Sequence, residues 1–190
     1  MAVRVRPAAV ADAPGITCAH VAAWQVAYRG IFPDRFLDDM TRDFGERMHR
    51  WEVIIVAPDQ PDTVTLVAER EDEDEILGWL SYGPSRDEPA VVPSSRVPGP
   101  VGEIYGIYVH PEHWRTGAGT ALMGVGLAGL GSDGYREATL WVLERNSAAR
   151  RFYERHGWRE DGARDHFERG GVQAVELRYR RPLSPAVTPG

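Results

Sequence analysis

The sequence predicts a mixed α/β single domain, and three observations carry that expectation. Hydrophobic spacing switches along the chain between a period of two and the period of a helix, so strands and helices interleave. The elements read off in the order β-α-α-β-β-β-α-β-α-β-β, which is neither all-α nor all-β. The length, 190 residues, suits one domain and lets about two-thirds of the extended surface be buried.

Taken in order, Val3-Arg4-Val5-Arg6 alternates and is ended by Pro7, a short strand. Asp12-Ala13-Pro14 places a cap residue before a proline in a first helical turn. Ile16, Ala19, Ala23, Trp24 and Ala27 give that helix its apolar face, and Gly30 to Pro33 break it. Phe36, Leu37, Met40, Phe44 and Met48 recur at helical spacing and predict one second helix over residues 34 to about 51. Strands follow at 64–68 and 76–82, with an acidic run, residues 69–75, at the hairpin tip. A solvated turn and a cation-recruiting patch are both open readings of that run. Residues 84–100 hold five prolines and read as a surface loop, mobile by composition. Then come a strand at 102–109, a helix at 117–130, a strand at 137–143, a helix at 146–155 and two closing strands at 158–168 and 172–179. The domain spans 1–182, and 183–190 are expected to form a disordered tail. Gly124, Gly126 and Gly129 stand inside the helix at 117–130, each at a cost of about 1 kcal/mol relative to alanine. The spacing offers no reason for them.

Composition narrows the function. The net charge of -6 argues against a nucleic-acid binder, which needs a basic stripe to neutralise phosphates, and fits a cationic partner weakly. All 22 basic residues are arginine, and Asn146 is the only asparagine. Cys18 is the only cysteine, so neither a disulfide framework nor a cysteine metal cluster is expected. The histidines are scattered without metal-site spacing. No run approaches the about 18 apolar residues a membrane helix needs, and residues 1–14 do not read as a signal peptide. The expectation is a cytoplasmic protein without metal.

The strongest local signal runs from Val109 through His110-Pro111-Glu112-His113-Trp114-Arg115-Thr116-Gly117-Ala118-Gly119-Thr120 to Leu122. A strand ends, a proline breaks it, and a glycine pair opens an apolar helix. Unpaired N–H groups and the dipole at such a helix start attract anions, and glycine lets a phosphate approach the backbone closely. Gly-x-Gly alone is equally a structural turn. No third glycine makes it a dinucleotide fingerprint, and no Gly-Lys-Ser/Thr makes it a P-loop. Upstream, Gly106 interrupts the strand and predicts a bulge. Glu103 on that strand is a candidate general base for an amine nucleophile, or else a solvent-facing edge residue. Downstream, Asn146 is an N-cap, Ala149, Phe152 and Tyr153 share a helical face, and Gly157 ends the helix. By periodicity alone Tyr153 is core.

With its flanks, the first stretch resembles motif A of the GNAT superfamily of acyl-CoA N-acyltransferases, a strand ending Val-x-Pro followed by Arg/Gln-x-x-Gly-x-Gly/Ala opening a helix. Trp114 stands at the Arg/Gln position, with Arg115 one place later. Asn146 to Trp158 is similar to motif B, Asn-x-x-Ala-x-x-Phe/Leu-Tyr-x-x-x-Gly-Phe, and begins 27 residues beyond Gly119. The resemblance implies a central, mixed, mostly antiparallel sheet of six to seven strands flanked by about four helices. It also implies acetyl-CoA as co-substrate. Trp114, Arg115, Thr116, Gly117, Ala118, Gly119 and Thr120 would cradle the pyrophosphate, helped by positive potential from Arg115, Arg150 and Arg151. Backbone groups of Ile107, Tyr108 and Val109 would meet the pantetheine arm and the thioester carbonyl. Asn146 would contact pantetheine or close the strand end, and Tyr153 would protonate the leaving thiolate. Glu103 lies four residues before Ile107, where some histone acetyltransferases of this superfamily carry their catalytic glutamate.

The acceptor side is less defined. Trp24-x-x-x-Tyr28-Arg29-Gly30-Ile31-x-Pro33-Asp34 looks like a recurring bacterial GNAT subgroup whose members mostly lack an assigned substrate. Trp24, Tyr28 and Phe32 are candidates to wall the acceptor pocket, and aromatic packing between two helices is the equal alternative. Tyr105 is a further candidate, with Tyr82 and His166 behind it. Ribosomal-protein N-terminal acetyltransferases of the superfamily carry a glutamate five residues before the motif B asparagine, where this chain has Trp141. The reading is acetyl transfer to a small primary amine (a polyamine, amino acid or antibiotic) by direct attack, without an acyl-enzyme on Cys18. The alternatives are a protein or peptide acetyltransferase and a non-catalytic acyl-CoA sensor. A homodimer is compatible with the resemblance.

Overall fold

The computed structural model describes residues 3–59, 62–70, 75–87 and 99–183. The middle of the acidic run, most of the proline-rich loop and the tail beyond Leu183 lie outside these residues. Seven strands form one sheet: β1 (Val3–Pro7), β2 (Val64–Arg70), β3 (Ile76–Pro84), β4 (Val101–Val109), β5 (Glu137–Leu143), β6 (Arg159–Arg169) and β7 (Val172–Pro182). Their spatial order is β1-β2-β3-β4-β5-β7-β6. Every neighbouring pair is antiparallel except β4–β5. Five helices accompany the sheet: α1 (Ala13–Ala27), α2 (Asp34–Asp39), α3 (Phe44–Val56), α4 (Ala118–Ser132) and α5 (Ser147–Arg155). No described helix is long and apolar enough to cross a membrane.

The helix expected over residues 34–51 is two helices, α2 and α3, which is why there are five. Leu37 and Met40 are buried against Trp24, Tyr28 and Phe32, whereas α3 buries none of its residues fully. Two different packing directions cannot be served by one straight axis. The Met40 carbonyl freed at the break accepts from Arg47 Nε at 3.1 Å, which satisfies an otherwise orphaned helix-end group.

Alternation along the strands sorts side chains onto two faces. Leu66, Leu80, Tyr82, Ile104, Leu140 and Leu177 pack beneath α4 with Leu122, Met123 and Leu130. On the opposite face, Leu143, Ala174 and Tyr108 meet the aromatic residues of α1 and the α1–α2 connection. The two faces therefore have separate coverings, and only a gap in the sheet can join them.

The helix glycines are explained by the first face. A Cβ on Gly126 would lie 2.8 Å from Leu80 Cδ2, and one on Gly129 would lie 2.7 Å from Tyr82 Cζ, so α4 can approach β3 only with glycine at both sites. Gly124 faces solvent with nothing near its missing Cβ. The two kinds of glycine should thus respond with opposite signs. Gly124→Ala is expected to raise unfolding stability by roughly 0.5–1 kcal/mol through helix propensity. Gly129→Ala should lower it by about 1–2 kcal/mol, because overpacking against a buried ring exceeds that gain. Denaturant unfolding of both variants checks this, and equal signs would refute it.

Candidate active site

The gap lies between β4 and β5. These parallel strands pair from Val101 opposite Glu137 to Ile104 opposite Leu140 and no further. Beyond that point β5 follows β7 as far as Leu143 opposite Glu176, while β4 follows β3. The divergence begins at a bulge. Ser81 faces Gly106 and Tyr82 faces Ile104, so Tyr105 has no partner on β3. Gly106 belongs there, since a Cβ would sit 3.2 Å from both the Trp79 and Tyr108 rings.

The antiparallel β3–β4 ladder determines which backbone groups face the gap. His110 N–H donates to Leu77 O at 2.8 Å. Alternation then assigns the backbone of Tyr108 to Trp79 and turns the N–H and C=O groups of Ile107 and Val109 toward the opening. Of the three residues expected to meet the thioester through their backbone, Tyr108 has that backbone committed to the sheet. Its phenol points to the other face, with Tyr28 Oη 3.2 Å away.

After a single helical turn at Pro111–His113, the chain reaches α4. Gly117 caps the helix with φ of 97°, and Arg115 also has a positive φ, 66°. At this helix start the N–H groups of Ala118, Gly119 and Thr120 have no acceptor within the helix. Trp114 stands at the Arg/Gln position of the motif. Its indole Nε1 donates to Val109 O at 2.8 Å, so it folds back over the end of β4 and occupies the one carbonyl there.

On α5, Asn146 Oδ1 accepts from Ala149 N–H at 3.1 Å, the cap its sequence position predicts. This sets Tyr153 inward, largely buried beside Phe152, Trp158 and Tyr179. Burial, then the nearby Tyr108 and Glu176, hold the Tyr153 phenol well above the ordinary tyrosine range, so it carries its proton at neutral pH. Arg150 is not part of a positive rim. It bonds Tyr179 Oη (3.0 Å) and the Glu144 carbonyl (3.3 Å) and pairs with Glu160. Arg115, Arg151 and Arg155 line the cleft instead and have no ion pair among the described residues. Arg155 was missed because it lies outside both motifs' fixed positions.

One cleft of about 1520 Å³ connects all these parts. That exceeds the volume usual for a single small ligand, roughly 300–1,000 Å³, and leaves room for two substrates. Ile107, Val109, Trp114, Arg115, Gly117, Gly119, Thr120, Asn146 and Tyr153 line it from the α4–α5 side, and Trp24, Tyr28, Phe32 and Tyr105 from the α1–α2 side. Thr116 and Ala118 are not among its lining; Ala118 is buried under the helix start and Thr116 Oγ1 donates to His113 O. Trp24, Tyr28 and Phe32 serve both readings at once, packing α1 on the sheet and forming cleft wall. Tyr82 packs on Gly129 at the opposite face, and His166 is exposed outside the cleft.

Glu103 is almost completely buried in the cleft wall, 1% exposed, and is held by Arg86. Arg86 Nη2 (2.5 Å) and Nε (3.1 Å) donate to Oε1, and the Arg86 backbone N–H donates to Oε2 (2.8 Å). The Arg86 guanidinium in turn lies 4.4 Å over the Tyr105 ring, whose hydroxyl donates to Pro84 O. Beyond it, Asp87 accepts from Trp141 Nε1 (3.1 Å) and Arg178 Nη1 (2.8 Å). Glu176 and Arg169 complete this wall. Sequence reasoning missed Arg86, Asp87, Arg169 and Glu176; none stands in a motif. Among the described residues no group of three or more His, Cys, Asp or Glu is arranged to hold a metal.

Comparison with known proteins fits this geometry. Residues 21–158 match the model of the acetyltransferase (GNAT) family. The chain is 31% identical over 180 residues to the uncharacterized N-acetyltransferase YuaI of Bacillus subtilis, covering 92% of this chain and 90% of that protein. Its fold is similar to PaiA N-acetyltransferase of Thermoplasma acidophilum in complex with coenzyme A (TM-score 0.71, 16% identity, 96% of this chain and 99% of that one). It is also similar to the yncA structure of Salmonella typhimurium with its cofactor acetyl-CoA (TM-score 0.65, 21% identity, 100% and 99%). The chain belongs to the GNAT acetyltransferase family and is an N-acetyltransferase.

Proposed function

We propose that this enzyme transfers the acetyl group of acetyl-CoA to the primary amine of a small molecule, by direct attack with both substrates bound. The observation that carries this is a single cleft passing through the sheet where β4 and β5 part. An anion-binding helix start lies on one side, an aromatic chamber with carboxylates on the other, and Tyr153 at the passage. Coenzyme phosphates would meet the N–H groups at the start of α4 and the charges of Arg115, Arg151 and Arg155. The N–H groups of Ile107 and Val109 would bond the thioester carbonyl as negative charge develops on its oxygen. The amine nitrogen forms its bond to the carbonyl carbon, the C–S bond breaks, and the thiolate takes the Tyr153 proton. A cleft carboxylate takes the ammonium proton and passes it to solvent, and the second proton shed by the nitrogen restores Tyr153, so the products are the amide, the coenzyme thiol and one released proton.

The test is thiol release from acetyl-CoA against a panel of polyamines, amino acids and amino sugars, alongside peptides. Turnover on a small amine supports the proposal. Turnover on peptides alone, or tight coenzyme binding with no turnover on any amine, would replace it with a peptide acetyltransferase or an acyl-CoA sensor.

A further inference from the structure

Five carboxylates line the cleft: Asp87, Glu103, Asp165, Glu168 and Glu176. Four are unsuited to accepting a proton from an amine at the passage. Asp87 is tied to Trp141 and Arg178, and Glu103 has both oxygens bound by Arg86. Glu168 accepts from Gln173 Nε2 at 2.8 Å. Asp165 is exposed. Glu176 is half-buried and has no hydrogen bond or ion pair among the described residues.

Its position also differs. Glu176 stands opposite Leu143, the last residue of β5, where that strand has diverged from β4, and on its other side it faces Asp165 of β6. Cross-strand partners share a face, so Glu176 lies with Leu143, Ala174 and Phe167 on the side that packs against Trp24, Tyr28 and Phe32. It thus stands on the face of the aromatic chamber, beside the end of β5 that borders the passage. We propose that Glu176, not Glu103, takes the proton from the acceptor ammonium. This rests on reading the cleft as the site of acetyl transfer.

The electrostatic surroundings agree with the geometry. Withdrawal from water raises the Glu176 pKa above the ordinary carboxylate range, and Asp165 and Glu103 push the same way; Arg169 and Arg86 oppose them. The other groups facing it are the phenols of Tyr28, Tyr108 and Tyr153, whose pKa values burial raises first and the Glu176 charge raises further. A raised carboxylate is a better proton acceptor than an ordinary one. In the balanced step, the ammonium N–H bond breaks, its proton goes to Glu176, and the freed lone pair attacks the thioester carbon. As the C–S bond breaks, Tyr153 supplies the proton to sulfur, and the second proton that the nitrogen sheds in becoming the amide restores the phenol. Glu176 then returns its proton to solvent through the open cleft. Glu103 becomes a positioning residue that holds Arg86 over Tyr105.

The experiment compares Glu176→Gln, Glu176→Asp and Glu103→Gln with wild type, using acetyl-CoA and the amine of the panel turned over fastest. Glu176→Gln should lower kcat/KM for the amine about 10²-fold near neutral pH, with acetyl-CoA affinity unchanged and the acidic limb of the pH profile lost. Glu176→Asp should recover part of the rate and keep that limb. Glu103→Gln, whose amide oxygen still accepts from Arg86, should lose less than tenfold and keep the limb. Wild-type-like kinetics in Glu176→Gln, or loss of the limb in Glu103→Gln instead, would overturn the assignment while leaving acetyl transfer intact. Absence of turnover by the wild type on every amine would overturn the reading of the cleft and the role of Glu176 with it.

Discussion

Tyr153→Phe is expected to lower kcat for acetyl transfer by 10²-fold or more while acetyl-CoA affinity stays within about twofold. The hydroxyl is the only atom removed. The ring keeps its contacts with Phe152, Trp158 and Tyr179, so the fold and the α5 side of the cleft are retained. What is lost is the proton for the leaving thiolate, a contribution of roughly 2.7 kcal/mol for a hundredfold effect. The same burial that holds the phenol's pKa up shapes the pH profile. An acid with a raised pKa stays loaded as pH rises, so the wild-type rate should show no fall from Tyr153 across the neutral and mildly alkaline range. Single-turnover thiol release and coenzyme titration of the variant read the two quantities separately. A variant with wild-type kcat would remove Tyr153 from the chemistry and return it to the core, where periodicity alone had placed it.

The contrast between Tyr153 and Glu176 shows which parts of this site a sequence displays. Tyr153 is found by local signals. Asn146 caps a short helix, Gly157 closes it, and the tyrosine sits at a fixed step between them. Gly117 and Gly106 are equally local, because a positive φ and a bulge each restrict one position's residue type. The strands were also legible, since alternation needs only neighbours.

Glu176 is one polar residue in an alternating strand, Val172-Gln173-Ala174-Val175-Glu176-Leu177, and nothing nearby distinguishes it. Its importance depends on β7 lying between β5 and β6 and on the departure of β5 from β4, both long-range facts. Arg150 illustrates the same limit in reverse. Two adjacent arginines in the motif looked equivalent, yet helical geometry sends Arg150 to Tyr179 and leaves Arg151 at the cleft. The single helix expected over 34–51 failed because spacing records apolar positions and not the two directions in which they are buried. The glycines of α4 needed β3 before they made sense.

The second large effect concerns stability. His20 lies between the Trp24 and Trp79 rings, each stacked at 5.6 Å, with Tyr108 at 4.9 Å and Trp51 edge-on. Its Nδ1 is buried without a hydrogen-bond partner among the described residues. Burial, then the charges of Arg47 and Arg169, push its pKa from 6.5 down to about 4. The sign follows from the proton count. Below pH 6.5 the unfolded chain binds a proton at this histidine that the folded chain refuses until about pH 4. The contribution is therefore fully present above 6.5 and is lost as pH falls through that window, by about 3 kcal/mol in total. Asp12 works in a separate range, because Arg6 holds its pKa below 3.8 and its stabilisation is lost only in stronger acid. Denaturant unfolding at intervals from pH 7 to pH 4 should show a steep fall in stability for the wild type. His20→Phe, which keeps an aromatic ring between the tryptophans but cannot bind the proton, should flatten that fall by most of its magnitude. Parallel pH profiles for the two proteins would mean that the imidazole is not buried as a neutral group, and that acid lability arises elsewhere.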